Sequence, residues 1–126
     1  MATKEQYIQL IQKKRWRKLE KTDKGNNEEE KKTMLEACGE ADAGNDEVVN
    51  LLISYLSKDE GDLQLTAIRS LGKLGSKASQ AEVHLQHLLT KIDEKDEERA
   101  AAIRDAIVDV RDRDATEMHV DALIDD

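Results

Sequence analysis

Two histidines three residues apart, His84 and His87 in "VHLQHLL", are the nearest thing in this chain to a metal-ligand pair. On a helix they would share one side, as two ligands of a metal site must. A third ligand would have to come from His119 or from a distant carboxylate, and a solvated helix face accounts for the pair without any metal. The single Cys38 has no histidine near it in sequence, so a small buried hydrophobe explains it better than a nucleophile does. Acidic runs such as "DEKDEE" (93–98) lack the alternating oxygen ligands and central glycine of a calcium loop. No phosphate-binding glycine loop and no Ser/His/Asp order stands out. No catalytic residue, metal or other cofactor is expected.

A second candidate is "KKRWRK" (13–18), five cations around the only tryptophan. Residues 1–24 hold eight Lys/Arg and three Asp/Glu, net +5, and residues 25–126 hold twelve and twenty-five, net −13, within a chain of net charge −8. An acidic body repels phosphate, so nucleic acid could be held only by the first segment. One helix offers few phosphate contacts and no aromatic platform, and neither nucleic acid nor membrane is an expected partner. The bland explanation is electrostatic. Cations at the end of a first helix and Glu28, Glu29 and Glu30 at the start of a second each complement a helix dipole, and the two clusters would face each other across "DKGNN". A surface for an acidic protein is the alternative.

The elements that would carry these residues are helices. The 126 residues suffice for one domain. Apolar residues make up 38% and charged residues 38%, with no Phe and no Pro. Such a composition suits amphipathic helices better than a sandwich or barrel. No apolar run approaches the ~20 residues of a membrane span, no signal-peptide core is visible, and one Cys cannot form an internal disulfide. A cytoplasmic location is expected. Capping signals (Thr3 with Gln6, Asn27 with Glu30, Ser79 with Glu82, Asp114 with Glu117, and Asp46, Asp62 and Asp96 alone) predict seven helices near 4–21, 28–41, 46–58, 62–74, 80–93, 97–113 and 115–124. A straight helix over 4–21 would put Arg15 and Lys18 inside the arc of Tyr7, Ile8 and Ile11, which predicts a bend or restart near Lys14. Trp16 and Leu19 would then pack together toward the next helices.

The helices repeat. "MLEACGEA" (34–41), "AIRSLGKL" (67–74) and "AIRDAIVD" (102–109) recur at spacings of 33 and 35 residues. The stripes Val49-Leu52-Ile53-Leu56 and Leu85-Leu88-Leu89-Ile92 superpose at a shift of 36. One helical hairpin per period of this length marks an α-solenoid, in which each unit hides its apolar face against the next. "EGDLQLTAIRSLGKLG" (60–75) resembles the first helix of a HEAT-like repeat of the phycobilisome-lyase type through Leu63, Ala67, Leu71, Gly72 and Gly75. It departs from that pattern with Gly61 in place of the turn proline, Gln64 in place of the usual arginine and Ile107 in place of the late glycine.

The expected fold is all-α, a right-handed solenoid of about three and a half antiparallel hairpins forming one domain over 1–126. It would have a basic capping helix in 1–24 and repeats at 28–58, 62–93 and 97–124. The resemblance implies a non-catalytic scaffold whose second helices line a groove for another protein or peptide. Outward positions of the third and fifth helices make Asn50, Ser54, Tyr55, His84, His87 and Lys91 the candidate contacts. Open solenoid ends and the Leu123-Ile124 edge leave self-association, as a homodimer, as an alternative. A lyase or chaperone-like role acting on another protein is a further one.

Overall fold

The computed structural model describes residues 2–41, 45–58, 61–93 and 95–111. Among them the chain forms α1 (Lys4–Gln12), α2 (Trp16–Lys24), α3 (Glu28–Glu40), α4 (Asp46–Lys58), α5 (Asp62–Leu74), a 3₁₀ segment (Gly75–Ala81), α6 (Glu82–Lys91) and α7 (Glu97–Val110). No strand occurs among the described residues. The expected helix 115–124, with its Asp114/Glu117 cap, lies outside them.

The expected first helix is two helices. Lys14 takes a left-handed φ of 59°. The Lys14 N–H bonds the Ile11 carbonyl at 3.0 Å and the Arg15 N–H bonds the Leu10 carbonyl at 2.9 Å, the paired closure that ends a helix cleanly, here without its usual glycine. The break lets Tyr7 and Ile11 bury on one helix and Leu19 on the next, with Trp16 half-buried against the same core. Residues 4–24 are therefore two short helices in contact, not a single capping helix.

Capping follows side-chain chemistry at Thr3, whose hydroxyl and Gln6 form a reciprocal box, and at Asn27 and Asp96, which accept from the N–H groups of Glu30 and Arg99. Asp46 and Asp62 prove to be first helical residues, favourable to the dipole, and not caps. The expected Ser79 cap fails as well. Gly75, at φ 64°, turns the chain into the 3₁₀ segment, and burial of Ala78 and Ala81 holds that segment against the core, so α6 begins only at Glu82.

The repeat becomes a layer. α3, α5 and α7 pack side by side, with α1 against α3, while α4 lies on α5 and α6 on α7 as antiparallel partners. Leu35, Ile68 and Ile103, equivalent by the 33 and 35 residue shifts, are each fully buried along this row. Cys38 and Leu71 occupy equivalent core positions, as expected, and burial pushes the Cys38 thiol up to about 12. A Cβ on Gly39 would lie 2.9 Å from the Cα of Ser70, so α3 and α5 touch where only glycine fits. The Ser70 hydroxyl donates to the Leu35 carbonyl at 2.7 Å across the same contact.

Candidate functional site

α4 and α6 are equivalent helices of successive repeats, and a cleft of about 530 Å³ opens between them. Its polar wall on α6 carries His84, His87 and Lys91. At i, i+3 and i+7 these three line one side of the helix, and all are exposed. The opposite wall is Ile53, Ser54 and Ser57 of α4. Leu56, Leu88 and Ile92 supply apolar surface between the walls.

The end of the cleft is closed by a hydrogen-bonded chain built from two repeats. Leu56 is within the last turn of α4, where carbonyls lack helical partners, and the buried Gln64 amide satisfies it at 2.7 Å. The Gln64 carbonyl accepts from the Arg99 guanidinium. The same guanidinium donates to Asp96 at 3.1 Å and to the Gly61 carbonyl at 3.4 Å. Asp96, Arg99 and Gln64 are thereby oriented before any ligand arrives. Arg99 stands at the position equivalent to Gln64 by the 35-residue shift, so the arginine missing from one repeat is contributed by the next.

Four of the six expected contact residues converge on this cleft: Ser54, His84, His87 and Lys91. Asn50 is exposed on α4 outside the lining. Tyr55 is a correction, being only 1% exposed. α4 is buried on two sides, through Val48 and Tyr55 as well as Val49, Leu52 and Leu56, because it packs toward α2 besides α5. The Tyr55 hydroxyl donates to Asp23 at 2.6 Å, and Lys58 reaches the same carboxylate at 3.0 Å. Partial burial opposes ionisation of Asp23, but these two donors outweigh it and hold its carboxyl below the usual range. Position seven after Val48, on an otherwise aliphatic helix, was the available signal for a buried Tyr55.

The basic stretch also departs from expectation. Lys13, Lys14, Arg15, Arg17 and Lys18 are exposed, and among the described residues none is ion-paired with Glu28, Glu29 or Glu30. The helix break sets these cations at a corner. Glu30 instead accepts the Tyr7 hydroxyl at 2.7 Å and the Ala2 N–H at 3.5 Å. Burial, with Glu30 beside it, pushes the Tyr7 phenol up to about 12 despite its bond to Thr22.

Among the described residues no group of three or more His, Cys, Asp or Glu side chains is placed to hold a metal ion, and no helix is long and apolar enough to cross a membrane. Stacked helix pairs with a cleft between equivalent second helices agree with the sequence comparison, in which the family model described as HEAT repeats matches residues 18–107. The chain belongs to the HEAT-repeat family. The match begins inside α2 and ends inside α7, so it spans the whole α4/α6 cleft of this HEAT-repeat chain. Neither the curated proteins nor the solved structures give a match.

Proposed function

We propose that this HEAT-repeat chain is a non-catalytic scaffold that presents the α4/α6 cleft to a segment of another protein. The observation that carries the proposal is the convergence of Ser54, His84, His87 and Lys91 on one open cleft beside apolar surface and a prearranged polar end. A cytoplasmic setting goes with it, since the one cysteine is a buried thiol. Kinship with the phycobilisome-lyase type of HEAT-like repeat rests on residues 60–75, and it brings no active-site residue with it.

The test is partner capture by variants on two faces. Ser54→Arg with His87→Glu, on the cleft, should abolish capture. Arg69→Glu with Lys73→Glu, on the far face between α5 and α7, should leave it intact. The reverse pattern would sink the site assignment. Self-association is the second reading, favoured by Val108, 57% exposed on α7. A molecular mass that stays monomeric at every accessible concentration excludes it.

A further inference from the structure

The cleft walls differ in kind from the rest of the molecule. The chain is acidic overall, at −8, yet the polar side chains that face the cleft from α6 are Lys91 and two histidines. Among the described residues none of the three forms an ion pair. The α4 wall brings no acid, only Ser54 and Ser57 beside Ile53.

Of the two carboxylates that line the cleft, one is paired with a cation. Asp96 accepts from the Arg99 side chain at 3.1 Å and from the Arg99 N–H at 3.2 Å. Asp93, beyond the end of α6, accepts only the neutral Lys95 N–H at 2.9 Å and keeps its charge. Along the α6 wall an incoming chain therefore meets donors and one ammonium outside any ion pair among the described residues, next to the aliphatic surface of Ile53 and Ile92.

From this complementarity we propose that the cleft selects an acidic peptide segment, with Asp or Glu side chains set against Lys91, His84 and His87 and an aliphatic side chain seated on Ile53 and Ile92. The proposal rests on the α4/α6 cleft being a peptide site, and adds the sign of the charge it reads. Attraction to a lone ammonium at a partly enclosed wall gives charge-assisted hydrogen bonds stronger than neutral ones. Rejection of basic segments comes from the same row.

A phage-displayed library of random short peptides, panned on the full chain, tests this. Enrichment of sequences combining Asp/Glu with Leu, Ile or Val is the expected result. A fluorescein-labelled representative should lose about tenfold in affinity on Lys91→Glu, less on Lys91→Gln, and should weaken as salt rises. Both variants alter an exposed side chain, and circular dichroism should show an unchanged fold. Enrichment of Lys/Arg-rich peptides whose binding is lost with Ser54→Arg overturns the acid preference and leaves the peptide site standing. Acidic peptides that bind Lys91→Glu and Ser54→Arg as well as the parent, and are lost on reversal of Lys13–Lys18, overturn the placement. No enrichment at all overturns both the charge preference and the cleft as a peptide site.

Discussion

The joint between α2 and α4 and the joint between α4 and α6 are built on the same repeat, yet one is filled and the other is open. The 36-residue shift relates Tyr55 to Lys91. At the first joint the tyrosine closes the space, its ring buried and its hydroxyl on Asp23. At the second the lysine stands at the edge of a cleft. The same shift relates buried Val48 to His84 and Leu51 to His87, so apolar and aromatic side chains at one joint and exposed polar ones at the other separate a joint that stabilises from one that offers a surface. The row of first helices shows the same contrast. Gly39 meets the backbone of Ser70 at the α3/α5 contact, whereas a Cβ on Gly72 would meet a movable carboxylate oxygen of Asp109 at 3.3 Å.

The largest break in this comparison should come from Tyr55→Ala. Loss of a buried aromatic costs about 3–5 kcal/mol, while Lys91→Ala should change stability by no more than about 0.5 kcal/mol, both read by urea denaturation. Equal effects would mean that the two joints do not differ as described. Next in size, Gly39→Ala should destabilise by about 1–3 kcal/mol through overpacking against Ser70, and Gly72→Ala should be near neutral.

Acid should expose the same asymmetry. Asp23, Glu30 and Glu40 all titrate below the usual range, Glu30 through the Tyr7 hydroxyl and Glu40 through Lys4, and all three tie the N-terminal helices together. A carboxyl with a depressed folded value contributes stability that is present above its unfolded value, near pH 4, and is lost as pH falls through the folded value. Trp16, the only tryptophan, lies in this region. Its fluorescence should therefore change at a higher pH than far-UV circular dichroism, and coincident transitions would count against an N-terminal weak point in acid. In alkali Tyr7 acts with the opposite sign, since its value rises from 10.0 to about 12: its contribution is whole below pH 10 and fades toward 12.

The smallest effect sharpens the contrast directly. Lys91→Tyr places the aromatic of the filled joint at the edge of the open one and should raise stability by about 1 kcal/mol, as cavity filling commonly does, while closing the cleft to peptides. A stabilised variant that still binds peptide would separate the cleft from the binding surface.

Periodicity made much of this architecture readable. α4 and α5 begin and end at the residues their spacing indicates, and the restart near Lys14 followed from the collision of Arg15 and Lys18 with an apolar arc. The 3₁₀ segment was not readable, because its signal is tertiary: Ala78 and Ala81 are held by burial, and the Ser79 capping pattern competed and lost. The cleft residues on α6 could be found because a one-sided helix exposes what it does not bury. Tyr55 was missed because α4 is buried on a second side outside the one apolar stripe, and its only hint was the seven-residue spacing from Val48. Arg99 and Gln64 reach each other across 35 residues, and only the repeat register hints at such a pair.

The Tyr7 hydroxyl touches Thr22 of α2 at 2.7 Å and Glu30 of α3 at 2.7 Å. Its more distant partner is only 23 residues further along. During synthesis, therefore, this three-helix node can close as soon as the start of α3 has left the ribosome, long before α7 exists. Later repeats can then add one after another onto a formed edge.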